Sequence, residues 1–243
     1  MKYHLSAIFI SLSVIVTALI FSNAFLNRNR SENTINVTGL GKTNFTSDLI
    51  VWKGSFTRKQ LKLKVAYAQL ESDRKAILDY LTSKGIEEDQ IVFFAVDINK
   101  EYKEIYNSNY KTRTREFTGY RLRQGVQVES GNVDLVEEVS RKVTELINQG
   151  IEFYSNAPEY YYTKLAELKI QMIADATQDA RIRAEKIAEN SGGTLGKVSK
   201  ASMGVFQIIA QNSNEDYSWG GSFNTTAKNK TATITMRLQY QVD

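Results

Sequence analysis

The chain has 243 residues, a net charge of +4, 42% hydrophobic residues and 24% charged residues, as ordinary globular proteins do. It contains no cysteine, and its only histidine is His4, near the N-terminus. Disulfides, thiolate metal sites, Ser-His-Asp catalysis and histidine-ligated metals are therefore excluded downstream of that histidine, while chemistry based on carboxylates alone stays open.

The first predicted element is a targeting segment over residues 1–26. An uncharged apolar run extends from Leu5 to Phe25, with basic residues on both sides. Ser22 and Ala24 are small residues at the two positions that a signal peptidase inspects, so one prediction is a signal peptide cleaved after Ala24. The run also reaches the roughly 20 residues that span a bilayer, so a retained membrane anchor is the second prediction. A buried core helix is the third reading; the first two place the rest of the chain outside the cytoplasm.

The remainder of the chain alternates between strand-like and helix-like patterns. Alternating or continuous apolar residues predict strands over 34–40, 48–57, 90–100, 117–129, 151–155, 194–203, 205–209 and 230–242. The segments 194–203 and 205–209 are two strands or one strand bent around Gly204. Amphipathic spacing predicts two helices. The first, over 64–84, turns Leu70, Ile77, Leu78 and Leu81 inward. The second, over 133–148, is capped by Asn132 and has a stripe of Leu135, Val136, Val139, Val143, Leu146 and Ile147. Residues 103–114 are predicted to form a hairpin tip, and residues 212–229 a polar loop.

A long amphipathic helix is the main organising element of this prediction. It is predicted to open at Tyr160, after Pro158, and to end at Gly192. The stripe consists of Leu165, Leu168, Met172, Ile173, Ala176, Ala180, Ala184 and Ile187. The side chains of the stripe change from leucine and methionine to alanine in its C-terminal half. These small side chains predict that another segment packs close to the helix backbone.

These elements predict an α+β fold with amphipathic helices on one face of mainly antiparallel sheets. Segment 119–204 has the order strand-helix-strand-helix-strand and is predicted to form an inserted subdomain. Segments 33–118 plus 205–243 are then predicted to form the first, discontinuous subdomain.

Three motifs occur along this pattern. The first is Ile-Asn-Val-Thr-Gly-Leu-Gly at 35–41, followed by Asp48, and the second is the Gly-Tyr strand at 119–128. The third comprises Ala174, Asp175-Ala176, Asp179-Ala180, Ala184-Glu185, Ala188 and Leu-Gly-Lys-Val at 195–198. In order and spacing they resemble the SIMPL-domain family (DUF541), which includes YggE-like periplasmic proteins. The chain departs at Ser47, where the family commonly has proline.

The resemblance implies an exported α+β protein that self-associates in some members, with a loose link to envelope or oxidative stress. It implies no catalytic residues, and we predict no catalytic, cofactor-binding or metal-binding residue. The targeting segment, this resemblance and the missing catalytic side chains together predict an exported, non-enzymatic cell-envelope protein that acts through self-assembly or partner binding. The alternatives are a membrane-tethered ligand-binding module and a carboxylate-dependent hydrolase.

Basic residues interleave with tyrosines in the predicted hairpin tip. This set consists of Tyr102, Tyr106, Tyr110, Lys111, Arg113 and Arg115. The pattern occurs in single-strand nucleic-acid binders, but the stretch is short and predicted to lie outside the cytoplasm, so we expect no nucleic-acid partner. A solvated hairpin is favoured instead, and an anionic lipid or glycan surface is the second interpretation.

Four further features have competing interpretations. Consecutive rings at 160–162 cannot all face one side of a helix, so at least one is expected to be exposed or on a partner; packing between domains is the alternative.

Asp175 and Asp179 lie one helical turn apart, and surface ion pairing involving Arg183 is favoured over a metal or acid-base site. The acidic stretch 214–216 lacks the spacing of a calcium loop. Asn-x-Ser/Thr motifs begin at Asn36, Asn44, Asn224 and Asn229.

Overall fold

A computed structural model describes residues 2–28, 34–107, 112–214 and 218–242. The helices are α1 (Lys2–Arg28), α2 (Leu63–Ser83), α3 (Val133–Lys142) and α4 (Leu165–Asn190). The strands are β1 (Thr34–Thr46), β2 (Leu49–Gln60), β3 (Ile91–Asn107), β4 (Thr112–Ser130), β5 (Phe153–Ser155), β6 (Glu159–Tyr161), β7 (Leu195–Met203), β8 (Gln207–Ala210) and β9 (Asn229–Val242). The predicted α+β class is confirmed.

The N-terminal apolar run forms α1, and the large apolar side chains described within it are exposed, including Leu19 and Phe21. Among the helices whose residues are described, none has both the length and the apolar character that a membrane crossing requires. The signal-peptide and anchor readings of residues 1–26 both stay predictions.

Two sheets contain all nine strands described. One has the order β1-β9-β7, with β8 also paired to β9, and the other has the order β3-β4-β2-β5, with β6 also paired to β2. In the second sheet, β2 pairs antiparallel with β4, β5 and β6, and β3 pairs antiparallel with β4. In the first sheet, β7 and β8 each pair antiparallel with β9. The mainly antiparallel pairing therefore agrees with the prediction.

The chain divides into two compact units. Unit 1 comprises Met1–Gly39, Thr177–Met203 and Met236–Asp243, and unit 2 comprises Leu40–Ala176 and Gly204–Thr235. The predicted subdomains are 119–204 and 33–118 plus 205–243. Their boundaries differ from those of the two units, and the division into subdomains stays a prediction. The segment 119–204 does not close a sheet of its own, because β4 pairs with β2 and β3 whereas β7 pairs with β9.

The core of unit 2 lies between the β2-β4 sheet and the helices α2 and α3. Trp52 and Phe56 of β2 are completely buried in it. The helices contribute Leu70, Ile77 and Leu81 from α2 and Val136, Val139, Val143 and Leu146 from α3 and its continuation. The predicted helical stripes are confirmed except at Ile147, which is 60% exposed because the chain tightens into a 3-10 helix over Val143–Gln149.

The stripe of α4 is confirmed except at Ile187, which is 45% exposed, while the next residue, Ala188, is buried. Met172 and Ala176 are fully buried in unit 2, as are Ala180 and Ala184 in unit 1. A side chain at Gly41 of β1 would lie 2.5 Å from the carbonyl oxygen of Met172. The β1 backbone therefore packs against the α4 backbone, as the small residues of the stripe predict.

The predicted start of the long helix at Tyr160 is wrong. Tyr160 lies in β6, opposite Ile50 of β2, and α4 begins only at Leu165. The Asp48 carboxylate accepts hydrogen bonds of 2.7 Å from both the amide and the hydroxyl of Thr163. Strand pairing suits tyrosine, and these hydrogen bonds hold the turn between β6 and α4, so the helix starts after the tyrosines.

Candidate interaction surface

The longest hairpin of unit 2 extends beyond its sheet. The β3-β4 register continues to Asn107 opposite Thr112, whereas β2 accompanies β4 only as far as Gln60 opposite Tyr120. Residues 101–107 and 112–119 therefore pair only with each other among the strands described, and we call them the distal arm. A two-stranded ribbon without a covering layer gains little from burial, so the arm must be stabilised by its own side chains or by a partner.

Aromatic side chains give the distal arm an apolar surface. Tyr102 contacts Phe117 with ring centroids 5.8 Å apart, and Phe117 contacts Tyr120 at 5.1 Å, both in edge-on geometry. Tyr102 and Tyr106 nevertheless remain 51% and 61% exposed, and Ile105 is 42% exposed. The aromatic contacts order the arm while much of its apolar surface remains open to solvent.

An ionic cluster fixes the base of the arm. Glu101 accepts hydrogen bonds from Arg121 and pairs with Lys59, whose ammonium lies 2.5 Å away. The Arg121 hydrogen bond, followed by that of Lys59, lowers the pKa of Glu101 to about 2. Further out, Arg115 pairs with Glu104 at 3.4 Å. These carboxylates offset part of the positive charge that the sequence suggests for this hairpin.

The predicted basic-aromatic set is only partly brought together. Tyr102, Tyr106, Arg113 and Arg115 lie on the distal arm, with Arg113 opposite Tyr106 in the register. The other two members, at 110 and 111, lie outside the described residues. What the structure adds is a long strand edge, because β3 terminates its sheet over 17 residues.

The three consecutive tyrosines pack within unit 2. Tyr160 is 7% exposed, Tyr161 donates a 2.8 Å hydrogen bond to Glu159, and the Tyr162 ring lies 4.8 Å from that of Phe45. The expectation that a ring would be left exposed is wrong, because strand pairing sends alternate rings to opposite faces, where each finds a neighbour.

The carboxylates of α4 behave as surface ion-pairing and hydrogen-bonding groups. Asp179 accepts a 3.0 Å hydrogen bond from Arg183, and Asp175 accepts one of 2.9 Å from Gln171. Across the described ranges, no group of three or more His, Cys, Asp or Glu side chains is arranged to hold a metal ion. Ion pairing therefore describes Asp179, whereas Asp175 is hydrogen-bonded to an uncharged amide.

The remaining sequence features hold local structure. Asn44 and Asn229 accept hydrogen bonds from threonines of neighbouring strands, and Asn224 accepts two from backbone amides in its own loop. Asn36 is exposed on β1. Of the acidic stretch 214–216, the last two residues lie outside the described residues.

A buried lysine is the feature that sequence reasoning missed. Lys230 is 1% exposed, its ammonium donates a 2.5 Å hydrogen bond to the Tyr160 carbonyl, and it lies 5.8 Å from the centroid of the Phe223 ring. Burial lowers the pKa of Lys230 to about 8. The sequence position of Lys230 could have predicted this burial. Lys230 lies on the same strand face as Ala232 and Ile234, whose side chains are buried.

The position where the chain departs from the family pattern has a structural role. The Ser47 amide donates a 2.9 Å hydrogen bond to the Lys228 carbonyl, which a proline could not do. Its hydroxyl is buried without a hydrogen-bond partner within the described structure. Lys228 in turn pairs with Asp134 and with Glu137. The turn before Asp48 is thus held by the backbone that precedes the buried lysine.

Taken together, these features define an α+β protein whose conspicuous groups are surface aromatics, an open strand edge and one buried amine. The chain belongs to the SIMPL family, described as a protein of unknown function (DUF541), whose sequence profile matches residues 35–242.

Other comparisons add little to the family assignment. No curated protein matches the chain. Among solved structures, the B. subtilis GlnK-ATP complex is 17% identical and is aligned over 44% of this chain and 85% of its own, with a TM-score of 0.25. A TM-score this low carries no argument about fold or function.

Proposed function

We propose that this SIMPL protein is an exported cell-envelope protein that is not an enzyme and that works by associating with copies of itself. The observation that carries the proposal is the distal arm: an ordered ribbon beyond its sheet, with half-exposed Tyr102 and Tyr106. A second arm or an open strand edge would cover these side chains and satisfy the unpaired backbone groups of β3.

The arrangement of reactive groups supports a non-enzymatic role. Lys230 has the lowered pKa that amine nucleophiles need, but its side chain is buried and engaged by a backbone carbonyl. The most perturbed carboxylate, Glu101, is bound by two cations at the base of the arm. Neither group meets a partner of the kind that general acid-base catalysis uses.

Export and localisation rest on the sequence. The apolar run from Leu5 to Phe25 supports delivery beyond the inner membrane. A part in envelope or oxidative stress tolerance is included only because the family resemblance suggests it. Comparing the survival of a deletion strain and its complemented parent under detergent and peroxide would test that part.

Sedimentation velocity of the full-length chain in density-matched detergent tests self-association. We expect an oligomer at tens of micromolar and a shift toward the monomer in Tyr102→Ser/Tyr106→Ser. The matched control is Ile170→Ser/Ile182→Ser, which removes two exposed apolar side chains from α4. A monomeric wild-type chain, or an arm variant that sediments like the wild type, contradicts the proposal.

A second candidate is a membrane-tethered ligand-binding module, which the exposed apolar side chains of α1 favour. This candidate requires residues 1–26 to be retained, whereas the first candidate is compatible with their cleavage or their retention. Intact-mass measurement of the mature protein tests it, since loss of those residues would exclude a tether.

A further inference from the structure

Apolar and basic residues alternate where β2 passes into α2. The five residues are Leu61, Lys62, Leu63, Lys64 and Val65, which we call the junction patch. Leu61, Leu63 and Val65 are 67%, 38% and 43% exposed. Exposed aliphatic residues are normally scattered singly over a soluble surface, so three within five positions, separated by lysines, mark an interaction site.

A shallow groove continues the junction patch along the outer side of α2. It has a volume of about 500 Å³ and is lined by Lys62, Lys64, Val65, Ala68, Gln69 and Ser72. Its wall consists of apolar atoms, so the two lysines contribute their aliphatic stems and carry their charges at the rim. The site is thus apolar within and cationic at its border.

The charge of these lysines is uncompensated. The neighbouring carboxylates already have cationic partners: Asp73 pairs with Arg58, Glu71 with Arg74, and Glu101 with Lys59 and Arg121. Lys62 and Lys64 form no ion pair within the part of the chain that the structure describes. The junction patch therefore offers two free cations beside exposed aliphatic side chains.

We propose that the junction patch docks on the surface of a bilayer containing anionic lipids. Aliphatic side chains enter the boundary between headgroups and acyl chains, and adjacent lysines remain at the level of the lipid phosphates. Charge complementarity selects anionic over zwitterionic lipid, because the cations have no acidic partner among the described residues. This inference is independent of association through the distal arm, which uses other residues.

The absence of cysteine allows a site-specific test on the full-length chain. A fluorophore on Leu61→Cys reports contact with lipids that carry a quencher on their acyl chains, and a label on Glu88→Cys serves as the reference. The protein is reconstituted into vesicles of phosphatidylcholine and of phosphatidylcholine mixed with phosphatidylglycerol. Because the N-terminal segment is present in both, the comparison isolates the effect of lipid charge.

We expect quenching at position 61, but not at position 88, to be several-fold stronger in the anionic vesicles and to fall at high salt. Lys62→Glu/Lys64→Glu should weaken docking by about thirtyfold or more, since each lysine near an anionic surface contributes about 1 kcal/mol to binding. The matched control, Lys197→Glu/Lys200→Glu, makes the same change of charge on β7 and should leave quenching unchanged.

Folding and assembly are checked on the same variants. Glutamate suits the first turn of a helix, so Lys64→Glu should not lower the unfolding midpoint. The double variant should also sediment like the wild type, which separates docking from self-association. The proposal would be overturned if quenching at position 61 were equal in the two kinds of vesicle, or if the β7 control lost as much quenching as Lys62→Glu/Lys64→Glu. It would also be overturned if the label at position 61 responded to polyglutamate and not to lipid.

Discussion

The two halves of the β3-β4 hairpin have similar alternating patterns and different surroundings. In the proximal half, Leu122, Val126 and Val128 are fully buried beneath helices. In the distal arm, Tyr102 and Tyr106 lie half in solvent, because β2 has ended at Gln60. The comparison shows that a strand's pattern identifies an apolar face, whereas its neighbours decide whether that face becomes core or interaction surface.

The largest expected effect compares matched phenylalanines in covered and uncovered regions. Phe56→Ala should cost about 3–5 kcal/mol of unfolding free energy, because the ring is fully buried against Phe93. Phe117→Ala should cost about 1 kcal/mol or less, because the side chain is 38% exposed. Urea denaturation measures both, and equal losses would show that the arm is as firmly integrated as the core.

A second prediction concerns the buried lysine. Its pKa falls from 10.5 to about 8 in the folded state, so the unfolded chain binds more protons between these values and stability rises with pH across that window. Lys230→Met removes the buried charge and should stabilise the protein by about 1–3 kcal/mol at pH 7.

Guanidinium denaturation at pH 7 and pH 10 measures the difference in unfolding free energy between Lys230→Met and the wild type. This difference should be smaller at pH 10. An exposed lysine, Lys200→Met, is the control and should show no such trend. A destabilised Lys230→Met at both pH values would mean that the hydrogen bond to Tyr160 outweighs the cost of burial.

A third prediction tests the residue that holds the turn before the last helix. Asp48→Ala should lose about 1–2 kcal/mol, because the Thr163 amide and hydroxyl each lose their acceptor. Asp48→Asn retains one good acceptor and should lose less. Thermal unfolding ranks the three chains, and an Asp48→Ala midpoint equal to that of the wild type would remove this explanation of the helix start.

The smallest expected effect is at the exposed base of the arm. The pKa of Glu101 is about 2, below its usual 4.5, so its contribution to stability is present above 4.5 and is lost as the pH falls toward 2. Glu101→Gln should therefore be slightly less stable than the wild type at pH 7 and equal to it near pH 2. Molar salt should also narrow the difference; a gap that persists in acid would contradict ion pairing as its source.

Patterns within one element were sufficient to predict much of the fold. Apolar residues at alternate positions identified β2, β4 and β9. Apolar residues spaced three and four positions apart identified α2, α3 and the buried alanines of α4. Asn132 was predicted to cap α3, and it accepts a hydrogen bond from the Leu135 amide. These features are local, so the residues that determine them lie close together in the sequence.

Features that depend on distant segments were beyond sequence reasoning. Tyr160 forms a strand because β2 offers a pairing edge, and Asp48, more than one hundred residues away in sequence, accepts hydrogen bonds from Thr163 in the next turn. The burial of Lys230 likewise depends on Tyr160 and Phe223. The interaction surfaces depend on where neighbouring elements end, which no single segment encodes.

The most direct test of the central claim, that the uncovered half of the hairpin is the interaction element, is hydrogen exchange of the full-length chain at two concentrations. Above the association threshold, the amides of 101–107 and 113–119 should exchange more slowly than they do in dilute solution. The amides of 120–130 should exchange at the same rate in both conditions. Arm amides whose exchange does not depend on concentration, while the chain demonstrably associates, would place the interface elsewhere and contradict the account.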